Sequence, residues 1–210
     1  MSFLTKLFHF VMITSKKYNI DESHGLSHSM NVLYYANEIY ESELSKKPFL
    51  EGQKKVIFTA AALHDMCDKK YMTEADGISA IQNYLQKDIT EIEIDMSAKI
   101  MTTMSYSKVK THGFPNLGAY QDAYHIVREA DLLTAYDFDR CMIYNMYQKN
   151  NDTEASYEDA RQLFERRVLR HNDDHLFLTE YSQQHSQFLH HQAILRMNRW
   201  KTLIYSKMIP

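Results

Sequence analysis

The stretch QKKVIFTAAALHDMCDKKY, residues 53–71, carries the decision about the fold. From Val56 to Leu63 only Thr59 interrupts an apolar run. A short segment that is apolar on every side leaves no face for solvent and reads as a central, buried helix. It then ends on His64 and Asp65 side by side, with Asp68, Lys69 and Lys70 just beyond. Packing gains nothing from such an ending, whereas a site that holds a cation and an anion does. Rigid packing of Ile57, Ala61 and Leu63 would fix the doublet at the floor of a cleft.

Outward from this helix the same period returns. Residues 27–44 place Val32, Leu33, Ala36, Ile39 and Tyr40 along one side, with Ser27 as the expected N-cap. Near the start, Phe3, Leu4, Leu7, Phe8, Val11 and Met12 repeat at three and four. This marks an amphipathic helix rather than a signal peptide, because His9 breaks the apolar stretch and no small-residue cleavage site follows. Further helices are expected over residues 76–87, 91–104, 119–138, 156–170 and 181–207, and a loop over 105–117 through Gly113 and Pro115. With only 5 Gly and 3 Pro, the chain has little material for tight β-turns, and no segment alternates with period two. The expected class is all-α. The 210 residues suit a single domain over 1–210, with a core at about 20–140 that contains the doublet and a C-terminal helical part at about 141–210.

Bulk properties exclude several functions. A net charge of -3 gives no global signal for nucleic acid. No apolar run approaches the ~20 residues of a membrane span. Cys67 and Cys141 are too few for a disulfide framework, so a reduced, cytoplasmic setting is expected.

Three segments carry candidate chemistry: His24 and His28 before a helix, the His64–Asp65 doublet, and Asp131 among Ile126, Val127, Ala130 and Leu133. Singly, each has an ordinary explanation: a capped histidine, or an aspartate paired with a neighbour such as Arg128. Two of these imidazoles with the two carboxylates make a donor set that suits one divalent ion. Mn or Mg comes first, with Fe, Co, Ni or Zn also compatible. Four protein ligands on a six-coordinate ion leave two positions for water and substrate.

The order and context of these residues resemble the HD superfamily of metal-dependent phosphohydrolases. The matching segments are SHGLSHSMNV (23–32), ALHDMCDKKY (62–71) and IVREADLLTA (126–135). The resemblance is closest to the small bacterial-type HD hydrolases that act on nucleotide phosphates, and it spans roughly residues 5–205. It implies an all-α, HD-domain helical bundle with the metal site at the ends of central helices. The implied ligands are His28, His64, Asp65 and Asp131. By the same resemblance Asp68 orients or deprotonates water, Lys70 neutralises phosphate, and His24 contacts phosphate or protonates the leaving oxygen. Ser105 and Lys108 would add substrate contacts. Continuation of the helix by one turn would set His64, Asp65 and Asp68 on one face. The implied partner is a phosphorylated small molecule, nucleotides first, with no membrane, and an oligomer is compatible. Gly25, Asn31, Leu132 and Thr134 depart from the family pattern around the site, which touches substrate choice more than the metal.

Other histidines offer rival sites. His171 and His175 in HNDDH have a zinc-compatible spacing but lack the glutamate of a metalloprotease helix and read as a polar loop. His185, His190 and His191, on the last helix, are expected to face solvent or to coordinate only weakly. His112 and His125 raise a two-metal HD oxygenase or phosphodiesterase as an alternative. A catalytically silent HD-fold binding module is the third reading.

Overall fold

Residues 1–149 and 152–206 are described by the structure, a computed structural model. Ten α-helices and four short 3-10 turns make up the secondary structure, with no strand among the described residues. The all-α expectation therefore holds. The helices are α1 (Phe3–Tyr18), α2 (Leu26–Leu44), α3 (Lys54–Leu63), α4 (Glu74–Leu85) and α5 (Glu91–Thr103). Then come α6 (Tyr106–His112), α7 (Gln121–Thr134), α8 (Phe138–Gln148), α9 (Thr153–Arg166) and α10 (Glu180–Tyr205).

Helix α3 sits at the centre, packed against α1, α2, α5 and α7. Val56, Ile57 and every residue from Thr59 to Leu63 are buried. The three consecutive alanines let neighbouring helices approach closely while removing apolar area from water. Helix α10 closes the molecule against α2, α7, α8 and α9. A buried carboxylate joins it to α7: Glu129 accepts from Leu178 N (3.0 Å), Thr179 N (3.1 Å) and Thr179 Oγ1 (2.7 Å). Arg128 Nη2 donates to the same carboxylate at 3.0 Å. Arg128 is thus committed to Glu129 and not to Asp131. Caps end most helices as local chemistry dictates, for example the reciprocal Thr90–Glu93 capping box of α5.

Several expectations give way. Helix α2 starts at Leu26 behind Gly25, which makes no side-chain cap, so Ser27 lies inside the first turn. The buried face of α1 is Leu7, Phe10, Val11 and Thr14, with Leu4 and Met12 exposed. Residues 106–112 form helix α6 rather than loop. The chain breaks there only at Gly113, whose φ of 72° suits glycine, and burial of Val109 holds so short a helix in place. The helix expected over 119–138 is two helices, because Asp137 accepts from Arg140 N and starts α8 afresh. The expected end of the last helix, residue 207, lies outside the described residues. Among those described, no helix is long and apolar enough to cross a membrane. Cys67 and Cys141 are free thiols.

The turn that follows α3 is clamped from behind. Gly77 in α4 lies so close that a Cβ there would meet Cβ of Cys67 at 2.6 Å and its Cα at 2.7 Å. Gly77→Ala should therefore destabilise the fold by about 1–3 kcal/mol, since the backbone it strikes cannot yield as a side-chain tip can. The ~0.5–1 kcal/mol that alanine adds in a helix is too small to offset this. Urea unfolding checks it, and a midpoint equal to or above the parent's would show that the turn gives way freely.

Candidate metal centre

Helix α3 does not continue past Leu63. Residues His64–Cys67 tighten into a 3-10 turn, and Asp68 is extended (φ -70°, ψ 131°). Asp68 Oδ1 accepts from Lys70 N at 2.8 Å, an Asx turn that competes with a further helical turn. His64, Asp65 and Asp68 thus do not share a helical face. The tight turn nonetheless aims the first two inward.

His28 comes from the first turn of α2 and Asp131 from the last turn of α7. His28 Nε2 lies 3.1 Å from His64 Nε2 and 3.3 Å from Asp65 Oδ2, and His64 Nε2 is 3.4 Å from that same oxygen. Asp131 Oδ1 approaches the two Nε2 atoms at 3.6 and 3.7 Å. Two donor atoms each about 2.0–2.2 Å from one ion, at roughly 90–110° from each other, lie about 2.8–3.6 Å apart. The trio His28, His64 and Asp65 meets that spacing, and this cluster can hold a metal ion. Asp131 stands at its outer limit and is partly exposed.

The donor chemistry fits an ion as well as the spacing does. Asp65 Oδ2 is buried and has no hydrogen-bond partner among the described residues, although it points at two imidazoles. The charge of the adjacent imidazoles, rather than an aligned hydrogen bond, compensates this buried oxygen. His64 Nδ1 sits 3.0 Å from the Ala61 carbonyl. It donates there, which leaves the lone pair of the neutral ring on Nε2, toward the cluster.

Charges are finely set in the ion-free protein. Burial, then the Arg140 guanidinium, pushes His28 down to about 4. For His64 burial again opposes protonation, but Asp65 and Asp131 outweigh it and raise the ring to about 9. Asp65 is held well below the usual carboxylate range, the adjacent imidazoles overcoming its burial. Near neutral pH the extra proton of the pair therefore rests on His64 rather than on His28.

Two clefts meet at this cluster. One, of about 230 Å³, is lined by His28, Asp65 and Asp131 together with His24, Asp68 and Lys70. Its neighbour, of about 330 Å³, shares Asp68 and Lys70, adds His64, and contains Ser105 and Lys108. Lys108 is already engaged, by Glu74 at 3.3 Å and by the Thr102 carbonyl. A larger cavity of about 510 Å³ lies beyond His28 and Arg140 but meets none of the other donor residues. The candidate donor residues therefore converge on the smaller clefts.

His24 sits in a short relay. The Ser23 hydroxyl donates its proton to Asp21, so its oxygen accepts from His24 Nδ1 at 2.7 Å. Burial lowers the His24 pKa, and the neutral ring then carries its lone pair on Nε2. A neutral His24 is an acceptor, which fits poorly with protonating a leaving oxygen.

Two residues that the sequence did not single out also line the first cleft: Arg140 and Arg167. Arg140 Nη1 donates to Ser23 O at 3.2 Å and lies 3.1 Å from His28 Nδ1. Of the family departures, Asn31 is exposed, Leu132 is buried core, and Thr134 Oγ1 donates to Asp131 O at 2.7 Å. His171 is fully buried between Tyr106, Tyr136 and Phe177 while His175 is exposed, so HNDDH is neither a joint site nor simply a polar loop. His125 packs on Phe114 and contacts Gln121, and His112 is exposed. His185 stacks on Tyr181 and His190 is half-buried, rather than freely solvated.

Comparisons with protein-family models, with curated proteins and with solved structures return no match for this chain.

Proposed function

We propose that this chain is a metal-dependent phosphohydrolase of the HD type, hydrolysing phosphate ester or anhydride bonds, with nucleotides as the first candidates. The observation that carries this reading is the convergence of His28, His64 and Asp65 around an orphaned carboxylate oxygen, where two clefts that both hold Asp68 and Lys70 meet. Asp131 is the fourth ligand of the proposed set.

A divalent ion in that set would polarise a phosphoryl oxygen and make water a better nucleophile. The protein's own residues do the rest. Asp68 keeps one oxygen on its backbone turn, which leaves the other to orient a water and take its proton. Lys70 has its ammonium 5.3 Å from the Tyr144 ring centre and no carboxylate partner among the described residues. It supplies a positive charge for phosphate and a proton for the departing oxygen. His24, held as an acceptor, binds a substrate hydroxyl or a protonated phosphate oxygen. Neither His112 nor His125 lines the cleft, which favours one ion over the two-metal alternative.

The test is a panel of nucleoside mono-, di- and triphosphates and other phosphorylated metabolites, offered to the chain loaded with Mn²⁺ or Mg²⁺. Release of phosphate or pyrophosphate that a chelator abolishes is the expected result. One bound ion with no release from any compound would leave a binding module in its place.

A further inference from the structure

The cleft holds three cations that make no ion pair with a carboxylate among the described residues. Lys70 and Arg167 lie against aromatic rings, Arg167 with its guanidinium 4.3 Å from the Tyr106 ring centre. Arg140 spends its donors on Ser23 O and on the edge of His28. Arg167 follows directly on α9, and Arg140 lies near the start of α8, so the two arrive from separate helices. Both line the same cavity as Asp131 and Asp68. Lys70 is exposed, but Arg140 and Arg167 are partly removed from water without a carboxylate acceptor, which is unfavourable, and the geometry of a guanidinium matches the paired oxygens of a phosphoryl group.

Charge decides when such a group can enter. Four carboxylates, Asp65, Asp68, Asp131 and Asp137, line the cleft beside the three cations. A divalent ion held by Asp65 and Asp131 would offset those two charges and favour an incoming anion. Arg140 Nη1 lies 3.1 Å from His28 Nδ1 and 3.2 Å from its Nε2, so the guanidinium stands directly beside the ring that would hold the ion.

We propose that Lys70, Arg140 and Arg167 form one phosphoryl-binding wall, available once an ion occupies the donor cluster, and that it takes a terminal phosphoryl group rather than an internal phosphodiester. This rests on the metal-site reading above. A terminal phosphoryl group has three non-bridging oxygens: one for the ion and two for the wall. A diester has two, and one alone would remain for three cations. Arg140 and Arg167 are binding residues in this scheme, with no part in moving protons.

Calorimetric titration of the full chain tests it, with methyl phosphate as the terminal group and dimethyl phosphate as the diester. The Mn²⁺-loaded parent should bind methyl phosphate at least about tenfold more tightly than dimethyl phosphate, and the ion-free parent should bind neither. Arg167→Gln should weaken methyl phosphate binding by about 10- to 100-fold, the range for a lost charge-assisted hydrogen bond. Its Mn²⁺ affinity should stay within about twofold, which also reports that the variant folds, and Arg167→Lys should recover part of the loss. Equal binding of the two phosphates, binding without the ion, or a parental affinity in Arg167→Gln overturns the proposal. A chain that binds methyl phosphate through Arg167 yet hydrolyses no nucleotide keeps the wall and loses the phosphohydrolase reading. A chain that hydrolyses nucleotides with parental kcat and KM in Arg167→Gln loses only the wall.

Discussion

Asp65→Ala should strip the protein of its ion. In the parent, Asp65 Oδ2 is the one atom that faces both Nε2 nitrogens at close range, 3.3 and 3.4 Å. Without it, two neutral imidazoles and the more distant, partly exposed Asp131 remain. That set leaves a divalent ion short of both a ligand and a charge. Loss of a group that merely orients a ligand typically lowers affinity by about 10–100-fold, and loss of a direct ligand exceeds this. After dialysis, metal analysis should find close to one equivalent in the parent and less than about a tenth of one in the variant, and phosphate release should fall to background. The fold itself should survive. His64 owes its retained proton to Asp65 and Asp131, so the ring reverts toward neutrality when Asp65 goes and no buried cation is stranded. Thermal unfolding in chelator checks this separately. A variant that still holds a full equivalent removes Asp65 from the site.

Asp68→Asn separates ion binding from turnover. Asparagine keeps a carbonyl oxygen to accept from Lys70 N, so the Asx turn and the walls of the cleft persist. What it loses is the capacity to take a proton from water at neutral pH. The ion should remain at one equivalent while kcat falls by ~10²–10⁴-fold, the usual contribution of a positioned general base. Gly77→Ala acts differently on the same turn, lowering stability rather than the chemical step. Turnover at the parental rate in Asp68→Asn would remove that residue from the proton path while leaving the ion site intact.

Much of the candidate site was legible because its residues break local expectations. A histidine and an aspartate at the end of an otherwise apolar α3, and an acid inside the apolar pattern of α7, stand out against their neighbours. Arg140 and Arg167 do not. Arg166 and Arg167 are adjacent and chemically identical, yet Arg166 is exposed and returns to the Gln162 carbonyl while Arg167 lines the cleft. A cation on a predicted helix reads as a solvated face, and no local signal distinguishes the two. The one hint lay at Asp137, whose preference for a helix N-cap marks the break that starts α8 and places Arg140 beside His28.

The sequence by itself determined most of the helices and the order of the donor residues. Periodicity, capping and the scarcity of Gly and Pro act over three or four residues and need no partner elsewhere in the chain. Only the tertiary structure decided what depends on packing across the chain. It brought His28, His64 and Asp65 within 4.8 Å of one another. It ended α3 in a turn held against Gly77, sent Asp68 out of the helix, and gathered Lys70, Arg140 and Arg167 on one cleft. These outcomes follow from how the buried faces of α2, α3 and α7 interlock and how α9 packs on α8 and α10. The angle at which two helices pack depends on both surfaces at once, so no single segment of sequence contains it.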